Sequence, residues 1–214
     1  MNIISLEDAE KLKKYFLQKS LDLIPLIVTS VDESTIRSFQ KRKGHQLHYK
    51  PLSLFRSWAY EFFSKNENVQ TIVEKENFQN FRSQALQSLM DYWKNIDGGE
   101  PEFYQFNKLI DLLFKFLPLW SKLDNTSKIW IFDNTNVPLD KFTLGELSNY
   151  SHTISLGKNP RMNSVTPENY NLIQNEIKNI CKDISPLIFD LYAWDKAHEP
   201  KLTFDHIELK RLTK

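Results

Sequence analysis

Residues 166–180 read TPENYNLIQNEIKNI, and this stretch decides the fold class. Thr166 is a favoured N-cap residue, Pro167 suits the first helical position, and Glu168 places an acid in the first turn. Behind this start the apolar side chains keep three- and four-residue spacing: Tyr170, Ile173, Ile177, Ile180 and Ile184. The stretch therefore predicts an amphipathic helix with one buried face.

Similar signals in both directions along the chain predict further helices. The predicted helices cover 6–19, 52–64, 78–93, a segment from Pro101 to Pro118, one beginning at Asp140 and one after Ser185-Pro186. In the helix over 78–93, Arg82 is expected on the polar face. Short apolar runs near 23–30 and 128–132 stay open: the first as a strand or a buried connection, the second as a strand or a turn of helix.

This pattern predicts a mainly α protein with about seven or eight helices and at most a few short strands. We expect one globular domain over 1–214, with a division into halves 1–117 and 118–214 as the alternative. The polar, basic stretch from Thr35 to Lys50 is predicted to be a loop.

Composition excludes several classes of function. The 214 residues carry a net charge of +1, so any anionic partner must meet a local basic patch. The five glycines are too scattered for a Walker loop or a dinucleotide fingerprint, and no cofactor is predicted. Cys181 is the single cysteine and His45 and His48 lack further ligands, so no metal site is predicted. No apolar stretch could span a bilayer, and a cytoplasmic protein is expected.

Asp140 is the residue singled out for chemistry. In NVPLDKFTL, residues 136–144, Pro138 stiffens the approach and Asp140 takes the N-cap of a helix, where it can accept a hydrogen bond from the Thr143 amide. Two interpretations follow: a cap that only stabilises the helix, or an anchored, ionised carboxylate that also does chemistry.

The order of elements around Val137-Pro138-Leu139-Asp140 resembles a known superfamily. A basic helical segment precedes this tetrapeptide, and a polar loop and a capped helix lead from it to a final aromatic-rich helix ending FDLYAWDKAHEP. Over about residues 118–198 this layout resembles the C-terminal half of the helix-hairpin-helix DNA glycosylases, in particular the 8-oxoguanine type. The resemblance implies that Asp140 stabilises positive charge on the sugar as a base leaves.

The same resemblance implies a lysine nucleophile upstream of the aspartate. Lys122 lies at about the expected distance, with Lys115 and Lys128 as alternatives. The chain departs from the superfamily here, because LPLWSKLDNTSK, residues 117–128, has no glycine with which a hairpin turn could approach DNA phosphate. A relative that kept the scaffold and lost the chemistry is therefore a second interpretation.

DNA is the partner that the first interpretation requires. Phosphate contacts are expected from basic residues in two predicted loops: Lys41, Arg42, Lys43, Lys50, Lys158 and Arg161. Tyr192 and Trp194 are candidates for stacking on an extruded base. Two functions result: a DNA-glycosylase-like protein that uses Asp140 and Lys122, or a non-catalytic helical binding protein, such as a bacterial accessory or defence factor. No oligomeric state or membrane partner is predicted.

Overall fold

Most of the helices begin near the start signals in the sequence. The computed structural model describes residues 4–36, 50–65, 78–97, 101–151, 153–157 and 160–198. The α-helices in that part of the chain are α1 (Leu6–Leu17), α2 (Leu23–Ser30), α3 (Glu33–Ile36), α4 (Pro51–Lys65), α5 (Phe78–Asp97), α6 (Phe103–Phe116), α7 (Asn125–Asn134), α8 (Lys141–Tyr150), α9 (Pro167–Cys181) and α10 (Pro186–His198). Short 3₁₀ turns occupy Leu117–Leu119 and Met162–Ser164.

The caps show why these boundaries form. The Ser5 hydroxyl accepts a hydrogen bond from the Asp8 amide at the start of α1, and the Thr166 amide donates to the Asn169 side chain at the start of α9. Each contact satisfies a backbone N–H group or fixes the entry of the chain into the helix. The mainly α fold predicted from the sequence is confirmed: the described residues form one all-α domain without a β-strand.

Both apolar runs left open in the sequence are helical, so a strand at either place is wrong. In α2, Pro25 falls in the first turn, where a missing N–H costs no intrahelical hydrogen bond. In α7, the Asp124 carboxylate caps the helix by accepting from the Ser127 amide at 2.7 Å. The start of the predicted 35–50 loop also differs, because Thr35 and Ile36 end α3; residues 37–49 lie outside the described part.

Two of the apolar cores lie on opposite sides of α6. The larger core is aromatic-rich and packs α2, α4 and α5 against α6; its largest buried side chains include Trp58, Phe63 and Phe114. The second core joins α8, α9 and α10, with Leu144 and Ile173 fully buried. A third, smaller core seats α1 against α10. The helix α6 thus meets the elements of the C-terminal half along its more polar side.

Arg82 departs from its expected place on the polar face of α5. Its side chain is buried and reaches across to α6, where Asp111 is completely buried. The spacing of apolar residues could not reveal this partner, because the ion pair depends on how α5 packs against α6.

Candidate functional site

Asp140 caps α8, as the sequence predicts. Its Oδ1 accepts hydrogen bonds from the amides of Phe142 at 2.8 Å and Thr143 at 3.0 Å. The segment that leads to it is also held, because the side-chain amide of Gln174 exchanges two hydrogen bonds with the backbone of Val137, at 2.8 and 2.9 Å. The cap uses Oδ1 for both amide hydrogen bonds and leaves Oδ2 for other partners.

A lysine amine faces that second oxygen. Nζ of Lys108, on α6, lies 4.0 Å from Asp140 Oδ2 and 3.7 Å from the sulfur of Met162. The side chains of Lys108 and Asp140 are 14% and 17% exposed, so they are shielded from bulk water without being sealed from it. Opposite charges in such surroundings interact more strongly than at an open surface. The pair joins a potential nucleophile to a potential base.

The lysines proposed from the sequence lie elsewhere or have other roles. Lys122 is exposed, and its Nζ lies 5.9 Å from the centre of the Trp120 ring. Lys115 is buried and forms an ion pair with Asp190 at 2.5 Å. Lys128 is buried in the first turn of α7. Of these lysines and Lys108, it is Lys108 that forms the ion pair with Asp140.

The Lys115–Asp190 pair connects back to the Asp140 cap through Thr143. The Thr143 hydroxyl lies 3.2 Å from Asp190 Oδ1 and 3.4 Å from Asp140 Oδ1. Asp190 accepts from Lys115 through its other oxygen, Oδ2. Because Thr143 and Asp190 are buried, these contacts form in the interior, where an unpaired carboxylate would be costly.

A second buried polar group lies between α5, α6 and α9. The Arg82 guanidinium donates to Asp111 at 2.7 and 2.9 Å and to Asn107 at 2.8 Å, and the Tyr170 hydroxyl donates to Asp111 at 2.8 Å. Asn136 contributes a further contact to the Tyr170 oxygen. Burial and the Asp111 charge raise the pKa of Tyr170 well above its ordinary value, so its hydroxyl stays protonated. Burial raises the pKa of Asp111, while Arg82 and Tyr170 act against that rise.

The predicted DNA contacts are only partly described. Lys41, Arg42, Lys43 and Lys158 lie outside the described residues. Lys50 and Arg161 are exposed; Lys50 immediately precedes α4, and Arg161 precedes Met162, whose sulfur contacts Lys108. Arg161 is thus the described basic candidate that adjoins, in the chain, a residue in contact with Lys108.

The two stacking candidates are half-buried on α10. Tyr192 lies under the Lys196 ammonium, 5.6 Å from the ring centre, and its hydroxyl interacts with Tyr150. Burial, the hydrogen bond to Tyr192 and nearby Glu146 raise the pKa of Tyr150. Glu146 in turn binds Lys196 at 2.8 and 2.9 Å. These contacts place Tyr192 in a packed cluster between α8 and α10.

The described part of the chain offers neither a reactive cysteine nor a group of side chains suited to bind a metal ion. Burial raises the pKa of the Cys181 thiol to about 12, which keeps it protonated at neutral pH. Among the described residues, no group of three or more His, Cys, Asp or Glu side chains is placed to hold a metal ion. His45 and His48 fall outside those residues.

The sequence interpretation missed Lys108, although a signal for it exists. The apolar stripe of α6 drew attention to Phe106, Ile110 and Leu113, while Lys108, Asp111 and Lys115 form a second, charged stripe at i, i+3 and i+7. All three pair with residues outside α6: Lys108 with Asp140, Asp111 with Arg82 and Tyr170, and Lys115 with Asp190. A charged stripe on a largely apolar helix indicates buried partners.

Comparison with known proteins finds no similarity that bears on this site. The chain matches no protein-family model, and no curated protein or solved structure is detectably similar to it. Within the described residues, no helix combines the length and apolar character that crossing a bilayer requires.

Proposed function

We propose that this protein is DNA-glycosylase-like and cleaves the N-glycosidic bond of a damaged nucleotide at the Asp140–Lys108 pair. The observation that carries the proposal is the 4.0 Å separation between Lys108 Nζ and the Asp140 oxygen that the helix cap does not use. The resemblance around Val137–Asp140 supports the choice of Asp140. Lys108 replaces Lys122 as the proposed nucleophile, because a nucleophile must reach the same atoms as the carboxylate.

The pair supplies the parts that this reaction needs. Asp140 first accepts a proton from the Lys108 ammonium, and the amine then attacks C1′ of the sugar while the C1′–N bond breaks. The bonding electrons leave with the base, which takes that proton from Asp140, and the carboxylate stabilises the positive charge that develops on the sugar. Asp140 then removes a second proton from the attached nitrogen and passes it to O4′ as the C1′–O4′ bond breaks, which leaves a protonated Schiff base between Lys108 and C1′.

Basic residues that the sequence singles out are proposed to hold the DNA backbone. Arg161 is exposed beside Met162, and Lys158 lies three positions before it in the same sequence segment. Lys41, Arg42, Lys43 and Lys50 are proposed as a second group of phosphate contacts, and Tyr192 and Trp194 as the stacking residues. This local basic charge is the feature that a nearly neutral protein needs to bind DNA.

The test is covalent trapping on duplex DNA with a single abasic or 8-oxoguanine site. Sodium borohydride reduces a Schiff base to a stable amine, so wild-type protein should become linked to the DNA. Lys108→Gln should abolish the adduct, and Asp140→Asn, which retains a good cap, should slow its formation by about a hundredfold. Lys122→Gln is the matched control and should trap as wild type.

The outcomes separate the hypotheses. Loss of trapping in Lys122→Gln with normal trapping in Lys108→Gln would restore the assignment made from the sequence. Absence of any adduct or free base with every duplex would refute the enzymatic proposal.

The second candidate is the non-catalytic helical binding protein. It is favoured by the outer face of α2, where Ile24 and Val28 are 61% and 46% exposed and Pro25 lies between them. In this case Asp140 acts only as a cap and Asp140→Asn leaves all binding unchanged. Replacing Ile24 and Val28 with Ser should then abolish binding of the partner without changing the affinity for DNA.

A further inference from the structure

We infer that Thr143 and Asp190 are positioning residues that hold the Asp140 carboxylate at its distance from Lys108. The inference rests on the proposed function for its catalytic consequence, while its structural part can be tested without DNA. Their side-chain hydrogen bonds join Asp140, Lys115 and each other rather than Lys108. Both act through Asp140 or through the helix that Asp140 caps.

The contacts form a closed ring that begins and ends on α6. Lys108 faces Asp140 at 4.0 Å, the Thr143 hydroxyl lies within 3.4 Å of Asp140 and 3.2 Å of Asp190, and Asp190 binds Lys115 at 2.5 Å. Lys108 and Lys115 are two turns apart, about 10 Å along one helix. The helix α6 therefore holds the two carboxylates at two separate points.

Burial restricts the movement of the side chains that form this ring of contacts. Thr143 is 1% exposed and Asp190 is 4% exposed, so water cannot readily replace their partners. The Asp190 carboxylate needs a cation in the interior, and Lys115 provides it from the helix that carries Lys108. Through Thr143, this pair fixes the first turn of α8, whose amides bind Asp140.

The single hydroxyl of Thr143 is the weakest point of the ring. Thr143→Val removes this hydroxyl, nearly preserves the volume of the side chain and keeps the backbone amide that Asp140 accepts from. Thr143→Ser restores the hydroxyl. The matched control is Thr135→Val, because Thr135 is also fully buried and its hydroxyl has no hydrogen-bond partner among the described residues.

The structural readout is the NMR signal of Lys108 in full-length protein labelled with ¹³C at lysine Cε. Lys108→Arg identifies the signal by its loss, and Asp140→Asn defines the position that it takes without the carboxylate. We expect Thr143→Val to move the signal toward the Asp140→Asn position, and Thr143→Ser and Thr135→Val to leave it at the wild-type position.

The kinetic readout is the rate of borohydride trapping under single-turnover conditions. Thr143→Val should slow trapping by about tenfold with unchanged DNA affinity, since a small displacement of a catalytic group affects the chemical step more than binding. Thr143→Ser should recover most of that loss. If Thr143→Val does not fold, Lys115→Met/Asp190→Leu removes the buried pair with side chains of similar size and should give the same shift and slowing.

The outcomes distinguish the two proposals. A moved Lys108 signal in a protein that never traps DNA supports the positioning role and refutes the proposed function. A wild-type signal in the ring-breaking variants refutes the positioning role, whether or not wild-type protein traps DNA.

Discussion

Arg82 forms the most heavily bonded buried ion pair among the described residues, and Arg82→Met should be severely destabilising. Its guanidinium donates four hydrogen bonds: two to Asp111, one to Asn107 and one to the Tyr170 hydroxyl. Met fills much of the same volume but leaves the Asp111 carboxylate, which is 0% exposed, without a cation. Removing one partner of a buried pair typically costs about 3–5 kcal/mol. For a chain of this size the melting temperature should fall by about 10 °C.

The double variant Arg82→Met/Asp111→Leu separates a lost charge pair from lost packing. It removes both charges together, so no carboxylate is left uncompensated, and its stability should return to within about 2 kcal/mol of wild type. Urea denaturation of the wild type, both single variants and the double variant gives the coupling free energy directly. A double variant as unstable as Arg82→Met would refute the argument, because the loss would then come from packing.

The pH dependence of Arg82→Met gives an independent check. Burial raises the pKa of Asp111, and without Arg82 the main opposing interaction is gone. Asp111 in the folded variant therefore binds a proton more tightly than it does in the unfolded chain, where its pKa is near 3.8. The free energy of unfolding of Arg82→Met must then fall as the pH rises above the unfolded-state pKa of Asp111. The deficit of Arg82→Met relative to the double variant should be larger at pH 8 than at pH 5, and a deficit independent of pH would contradict the ionised-carboxylate explanation.

Three further predictions concern the cap, the thiol and the basic residues. Asp140→Ala should lower the free energy of unfolding by about 1 kcal/mol more than Asp140→Ser does, because both variants lose the Lys108 partner but Ser retains an acceptor for the Thr143 amide; equal losses in thermal denaturation would argue against the cap. Cys181 should resist labelling by a thiol-specific disulfide reagent at pH 8 until the protein is unfolded, because the thiol is buried and its pKa is about 12; rapid labelling of native protein would show that the site opens. DNA affinity should fall steeply with rising salt, and Arg161→Gln should reduce the slope of log affinity against log salt by about one; an affinity that does not change with salt would exclude phosphate contact, and an unchanged slope in Arg161→Gln would exclude it for Arg161.

Local chemistry explains which features of the fold could be predicted. Thr166, Pro167 and Asp140 act within a few residues of themselves, so the start of α9 and the cap of α8 follow from neighbours in the chain. The apolar run at 23–30 was harder, because Pro25 argues against a helix interior but not against a first turn.

The amino-acid sequence by itself determined the all-α class, most helix boundaries and the capping role of Asp140, because propensities, caps and apolar spacing act over one or two turns. The identity of the lysine beside Asp140, and the burial of Arg82, Asp111 and Asp190, were decided only by tertiary structure. An ion pair between distant helices depends on how those helices pack, and α6 brings Lys108 to Asp140 although Lys122 is nearer in the chain. Sequence distance says little about which charge becomes a neighbour once helices lie side by side.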